Sequence, residues 1–434
     1  MKRVINYYII LTFIVAASLS SCKKEYNNLN SPTVEDYLKN ASQAQLDGLV
    51  SGALSGMRNN EGIYLDAVGV IGREMYRFSN ADPRYVTELL GSGSTTLNNT
   101  GFYITNPWAS RYRTVKNCNV LIEAATNSTL VSDAQKKGYQ GFSKTMKAYE
   151  LLMNLNLTYS NGIRVDVADP NNLGPILSYD ASITAIGALL DEAKTDLSSA
   201  TVSFTLTPGF NGFADAAGLV KFNRALAARV DVYRKQWTTA LTDLGQSFYD
   251  ISGDINMGVS EQFSTGSGDQ LNPAYFDQNA NGEVRLAHPS YVANIAAGDD
   301  RIGKASLRNS AASNNGLSSD RDVWVYHSST APIPIIRNEE LILIYAEAKI
   351  QTNSLPEAVV ALNKIRSTHN LPAYAGAVTA AALIDEMLNQ RRYSLFYEGH
   401  RWIDMRRYDK LASLPIDRAG DDIWSAMPIP STEN

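Results

Sequence analysis

Asn338-Glu-Glu-Leu-Ile-Leu-Ile-Tyr-Ala-Glu-Ala-Lys-Ile-Gln351 is followed, after Thr352-Asn353, by Ser354-Leu-Pro-Glu-Ala-Val-Val-Ala-Leu-Asn-Lys-Ile-Arg366. In the first segment Asn338 is placed to cap a helix, with Glu339 and Glu340 at its positive end. Leu341, Ile344, Tyr345 and Ala348 recur at helical spacing and predict one apolar face. In the second segment Ser354 to Glu357 has the pattern of a capping box with Pro356 in the first turn. Behind it Ala358, Ala361, Leu362 and Ile365 form the predicted buried stripe. Two such helices joined by a short turn make an antiparallel hairpin, and the small alanines let them approach closely. That hairpin is the unit of a tetratricopeptide-like stack.

Outward from this pair, Lys221–Trp237 followed by Thr238–Phe248 predicts a second hairpin, and Ala148–Asn156 belongs to a third. Helical patterns run over about 35–57, 106–126, 132–160, 181–199, 217–248, 337–351, 355–368 and 379–409. Gly-, Asn- and Ser-rich passages at 91–105, 200–216 and 250–335 separate them. Strand-like runs such as Val323-Trp-Val-Tyr326 are short and isolated, so Trp324 and Tyr326 read as structural. The predicted fold is mostly α: a tetratricopeptide-like helix-hairpin scaffold (about 35–57, 106–160, 181–248 and 337–409) with large irregular loop insertions. Loops at about 64–105 and 250–335 are expected to face a ligand.

The chain has 434 residues, 44% hydrophobic and 19% charged, a globular balance that excludes disorder of the whole chain. A formal charge of −5 lacks the basic footprint of a nucleic-acid binder. The beginning is more telling. Lys2 and Arg3 precede an apolar run from Ile5 to Leu19, closed by Leu19-Ser-Ser-Cys22. A charged start, a short apolar stretch and small residues describe a secretory signal, too short for a spanning helix. Leu-Ser-Ser-Cys resembles a bacterial lipobox, so 1–21 is expected to be a lipoprotein signal peptide and Cys22 the lipidation site. Acyl chains on Cys22 would anchor the protein, since each buried methylene contributes about 0.8 kcal/mol. The Asn-rich segment 22–34 is expected to be a flexible tether, ahead of one domain at 35–434. The other cysteine, Cys118, lies in a helical pattern and is expected to be buried and structural.

Catalytic and metal motifs do not assemble. There are four histidines, and no His-Glu-x-x-His, Cys-x-x-Cys or Gly-x-Ser-x-Gly is present. Gly298-Asp-Asp-Arg-Ile-Gly303-Lys304-Ala305 has phosphate-loop spacing, yet it lacks the magnesium-binding hydroxyl, and Asp299 and Asp300 would repel phosphate. Asp277-x-Asn279-x-Asn281-Gly282 starts like a calcium loop, but His288 stands where the bidentate Glu belongs. No catalytic residue, metal site or cofactor is expected.

Several stretches resemble the SusD/RagB family in order and spacing. Pro332-Ile-Pro-Ile-Ile-Arg337-Asn-Glu-Glu340-Leu-Ile-Leu-Ile-Tyr-Ala346-Glu347-Ala348 resembles its Arg-x-x-Glu-(apolar)-Tyr-Ala-Glu-Ala helix, continued by Leu362-Asn-Lys-Ile-Arg366. Arg391-Arg-Tyr-Ser-Leu-Phe-Tyr397-Glu398-Gly399-His400-Arg401-Trp402-Ile-Asp404-Met-Arg406-Arg407 resembles the C-terminal signature, and Met427-Pro-Ile-Pro430 the closing segment. Trp108-x-x-x-Tyr112, Lys221–Trp237 and Asp299-Asp-Arg301 also fit, so the resemblance spans nearly the whole mature chain. Gln390 replaces an expected acid, and Tyr393-Ser394 a basic–acidic pair. These thin an expected ion network without touching a ligand site. Gly399 is expected to end a helix in the left-handed conformation. Glu398, Arg391, Arg401, Asp404 and Arg406 are expected to pair around that corner as scaffold, with Trp402 beneath.

The resemblance implies a surface-exposed outer-membrane lipoprotein that binds a nutrient, an oligosaccharide being the commonest ligand, and hands it to a SusC-like TonB-dependent transporter. A peptide-binding lipoprotein of the RagB type is the alternative within binding, and a surface glycoside hydrolase the alternative outside it. By comparison with the family, aromatics from two loops would form the platform. They are Tyr76, Phe78, Arg84 and Tyr85 from the Arg73–Tyr85 loop, and Tyr275 and Phe276 from the Asn272–Asn279 loop. Flat rings beside planar polar groups on loops suit such recognition.

Overall fold

The structure, a computed structural model, describes residues 34–433. The expected signal peptide at 1–21, the expected lipidation site Cys22 and all but the last residue of the expected tether at 22–34 lie outside the described residues.

In chain order the helices are α1 Val34–Asn40, α2 Gln43–Met57, α3 Glu61–Ile71, α4 Phe102–Asn127, α5 Asp133–Thr158, α6 Tyr179–Leu197, α7 Ala216–Tyr233, α8 Trp237–Gln246, α9 Pro289–Asn294, α10 Asn338–Gln351, α11 Leu355–Thr368, α12 Ala380–Ser394 and α13 Arg401–Arg407. The strands are β1 Met75–Ser79, β2 Ile163–Arg164, β3 Ile176–Leu177, β4 Gly258–Glu261, β5 Glu283–Ala287, β6 Ala305–Asn314, β7 Leu317–Val323 and β8 Ile333–Arg337. From α4 to α8 each helix packs on the next, and α10 continues the stack against α7, α8, α11 and α12. The fold is therefore mostly α and tetratricopeptide-like, as the sequence predicts.

α10 is enclosed more completely than one apolar face implies. Leu341, Ile342, Leu343, Ile344, Ala346 and Ile350 are all buried, which is what a helix surrounded by four others requires. Its acids pair inside: Glu340 with Arg229, Glu347 with Arg407, and Glu339 with Arg337 and His369. Asn338 does not cap the helix, because Arg337 occupies the cap position. The Asn338 amide instead donates to the carbonyls of Asp250 and Asp254 at 2.7 and 3.2 Å, pinning the loop after α8. The capping box expected at Ser354 is likewise not made. Ser42–Gln45 and Ser132–Gln135 form such boxes at the starts of α2 and α5.

The region 250–335 is more ordered than its composition implies. β1, β5, β7 and β6 form a four-stranded antiparallel sheet in that order, with Tyr76 opposite Leu286. β6 and β7 are a hairpin turning at Asn315-Gly316, both at positive φ (50° and 79°), which matches the Asn-Gly preference of tight hairpins.

The predicted helix 379–409 is two helices. α12 stops at Ser394, and the corner before α13 places Tyr397 at φ 60° and Gly399 at φ 83°. A Cβ on Gly399 would come within 3.1 Å of the Tyr64 ring, so both torsion and space call for glycine. Arg391 and Arg407 pair with Asp404 at 2.6 and 3.0 Å, and Glu398 pairs with Arg337 at 2.8 Å, over a fully buried Trp402. Arg406 bonds carbonyls of Asn156 and Ser425 rather than a carboxylate. Arg301, held by Asp299 at 2.7 Å, donates to Gln390 Oε1 and Ser394 Oγ, so neutral side chains complete its shell. Cys118 is buried in α4, where burial pushes its thiol pKa up and suppresses the reactive thiolate.

Candidate functional site

The loop between β4 and β5 is fixed at its start by Asn272. Its backbone N–H donates to Ser329 O and its amide to Ala331 O, both at 2.7 Å, while its side-chain oxygen accepts from Ala274 N–H. Gly62 of α3 lies so close beneath that a Cβ would meet Pro273 O at 2.7 Å. These contacts bring Tyr275 beside the segment leaving β7. There Trp324 is tied back by its N–H to Lys304 O at 2.7 Å.

The result is an aromatic cluster on the surface. Tyr275 and Trp324 have centroids 6.1 Å apart, and Trp324 stacks on His327 at 5.1 Å with 14° between planes. Tyr275 and Trp324 are half-buried and His327 is exposed. The Tyr275 hydroxyl donates to Asp277, which raises the phenol pKa and leaves the ring fixed. Partly open aromatic rings with polar edges are the kind of surface that stacks on a sugar ring.

His327 also lines a cavity of about 630 Å3 whose floor is charged. Arg337 pairs with Glu339 and Glu398, and His369 bridges Glu339 and Asp300 at 2.7 and 2.8 Å. Burial would raise the Glu339 carboxyl pKa, but Arg337 and His369 hold it well below the carboxylate range. Lys304 donates to the carbonyls of Tyr393 and Ser394, and burial lowers its pKa. The carboxylates on this floor are thus committed to cationic or imidazole partners. The arrangement presents hydrogen-bonding edges and orienting charge.

The other expected platform residues lie elsewhere. Tyr76 and Phe78 are each 3% exposed and stack on each other at 5.7 Å inside β1, with Tyr76 also against His288. They offer no ring to solvent, because every residue of β1 is covered. Tyr85 is buried against Phe102, and Arg84 is half-exposed, gripped by Asp82 and lying 4.6 Å over Phe102. Phe276 is half-buried beneath two guanidiniums, Arg285 at 4.0 Å and Arg77 at 4.8 Å from its centroid, both anchored by Asp66. Of the two expected loops, the structure brings only Tyr275 to the exposed cluster. Trp324, read as structural from the sequence, and His327 complete it. The signal for this strand was the Asn315-Gly316 turn, which fixes where β7 begins and its register with β6; Trp324 follows its other end.

Residues 295–422 match the sequence model of the SusD family. No curated protein matches the chain. Among solved structures, a SusD superfamily protein from Bacteroides vulgatus superposes with a TM-score of 0.70 at 15% identity, covering 90% of this chain and 96% of that one. One from Parabacteroides distasonis gives 0.67 at 16%, covering 91% and 97%. Surface glycan-binding protein A from Bacteroides thetaiotaomicron, in complex with laminarihexaose, gives 0.67 at 14%, covering 91% and 97%. Residues 295–422 thus carry the SusD family's sequence pattern, and the described residues share the fold of these SusD superfamily structures.

Proposed function

We propose that this protein is a surface glycan-binding lipoprotein that captures an oligosaccharide and delivers it to a SusC-like TonB-dependent transporter in the outer membrane. The observation that carries the reading is the Tyr275–Trp324–His327 cluster, whose exposed member His327 lines a cavity with a charged floor. An aromatic rim grips the apolar face of a pyranose while the polar surroundings take its hydroxyls. A relative of the same fold was solved with laminarihexaose bound, which supports a glycan over other nutrients. Acylation at Cys22 would hold the protein at the membrane, with the cluster facing outward. Tyr76, Phe78, Arg84, Tyr85 and Phe276 pack elsewhere, against one another, His288, Phe102, Arg77 and Arg285, and are not assigned to the ligand.

Affinity electrophoresis of the mature chain over polysaccharides and peptides tests this. Retardation by at least one glycan, abolished in Trp324→Ala and weakened in Tyr275→Ala at unchanged melting temperature, is expected. Retention of peptides alone, or glycan retardation indifferent to both substitutions, overturns the assignment. Co-purification with a barrel transporter from membranes tests the partnership, and mass spectrometry of the mature N-terminus tests acylation of Cys22.

A further inference from the structure

A separate cavity of about 480 Å3 lies where α2, the Thr205–Phe210 segment and β4 meet. It shares only Ser260 with the cavity beside His327. Two local irregularities shape it. The β4–β8 pairing slips between Val259 and Ser260, which leaves Ile335 without a partner and facing this space. Gly209 runs so close to β4 that a Cβ there would meet Ser260 O at 1.9 Å.

Glu261 lines this cavity at 6% exposure, and among the described residues no group hydrogen-bonds to either carboxylate oxygen. A buried carboxylate without donors is costly, and native proteins rarely leave one. The two nearby arginines are already committed. Arg58 donates to Gln262 O at 2.6 Å and to Asp269 at 2.5 Å, and lies 5.7 Å over the Phe263 ring. Arg111 is held by Glu61, by Glu150 at 3.1 Å and by Met57 O at 2.9 Å. Arg58 with Asp269, and Arg111 with Glu61, are neutral pairs. Burial raises the carboxyls of both Glu150 and Glu261, but Glu150 is hydrogen-bonded by Arg111 whereas no described group donates to Glu261.

We propose that this cavity binds a small ligand bearing a primary ammonium group, an amino sugar being the class that fits, with Glu261 as its counter-charge. An ammonium supplies three donors to a site whose ionised free group only accepts, and its charge favours the ionised form of Glu261. Phe210 and Phe263 give apolar wall for the ligand body, and Ser55 and Thr205 give hydroxyls for a polyol edge. The volume falls in the range of small-molecule sites, roughly 300–1,000 Å3.

Calorimetric titration of the full mature chain with glucosamine, glucose and N-acetylglucosamine tests the proposal. Glucosamine is expected to bind at least about tenfold more tightly than either uncharged sugar. Glu261→Gln, which keeps the shape and removes the charge, is expected to weaken glucosamine about tenfold or more. Ser55→Trp, which fills the cavity from its exposed edge, should abolish binding. Trp324→Ala should leave glucosamine binding within about twofold, which separates this site from the proposed glycan platform. Equal binding of glucose and glucosamine, binding unaffected by Glu261→Gln, or no detectable glucosamine binding each overturns the proposal.

Discussion

Arg229 of α7 and Glu340 of α10 meet in a two-pronged ion pair inside the helical stack, Nε to Oε1 at 2.6 Å and Nη2 to Oε2 at 2.5 Å. Both side chains are almost fully buried, and Arg229 also donates to Ile335 O at 2.7 Å, the carbonyl of the unpaired β8 residue. Removing one member strands the other without solvent. Glu340→Leu and Arg229→Met are each expected to cost about 3–5 kcal/mol. The double variant should cost less than the sum of the two, because no bare charge remains. Urea unfolding of the three variants measures this, and strict additivity would refute the coupling.

The same pair makes the fold acid-sensitive through His400, whose Nε2 lies 3.8 Å from Glu340. Burial, which outweighs the attraction of Glu340, lowers the His400 pKa to about 4. A histidine depressed in the folded state contributes stability above its unfolded pKa, near 6.5, and loses it as pH falls through 4. Between pH 7 and 4.5 the loss should be about 2–3 kcal/mol. Glu340, lowered to about 2 despite burial chiefly by Arg229, extends the loss further into acid. His400→Gln should flatten the upper part of the curve and leave the lower part intact. An unchanged slope between pH 7 and 4.5 would contradict a buried neutral imidazole.

The helical scaffold was legible because its periodicity is strong and its pairs are consecutive: Ala358, Ala361, Leu362 and Ile365 are all fully buried. The caps were less legible. Asn338 and Ser354 have cap-forming side chains, but tertiary partners claimed Asn338, and Ser354 (φ −90°, ψ 58°) lies outside the extended cap conformation. α3 went unread because Glu61–Ile71 is almost wholly buried and shows no alternating face. The sheet went unread because β6 and β7 are Ser- and Asn-rich, although Asn315-Gly316 carried the hairpin signal.

The candidate site was half legible. Aromatic content located both loops, but whether a ring is exposed depends on strand pairing that composition does not encode. Tyr76 and Phe78 are covered because β1 pairs with β5; Tyr275 stays accessible because its loop is anchored by Asn272 and not by its own ring. Trp324 follows immediately on β7, where its side chain is only half-buried although its backbone still bonds Lys304 O.

The hairpin offers a test of structure without touching a ligand. Gly316 sits at φ 79°, where an L side chain is strained. Gly316→Val is expected to destabilise the protein by about 1–2 kcal/mol. It should leave glycan retardation unchanged, since the turn is at the far end of β7 from Trp324. Lost binding at intact stability would show that the hairpin tip itself belongs to the site.

Glu261 gives a prediction of opposite sign to His400. Burial raises its carboxyl to about 7 against the attraction of Arg111 and Arg58. A carboxyl raised in the folded state contributes most below its unfolded pKa, near 4.5, and that contribution disappears as pH climbs through 7. The wild type therefore carries a penalty at pH 8 that is small at pH 5. Glu261→Gln removes the titration, so its stability relative to wild type should improve by about 2 kcal/mol between pH 5 and pH 8. Saturating glucosamine should narrow this gap, because the ammonium stabilises the ionised wild-type carboxylate and finds no charge in the variant. Denaturant melts at both pH values read the effect directly. A variant that gains nothing at pH 8 would mean that Glu261 is already satisfied inside the protein, and the case for a cationic ligand would fall with it.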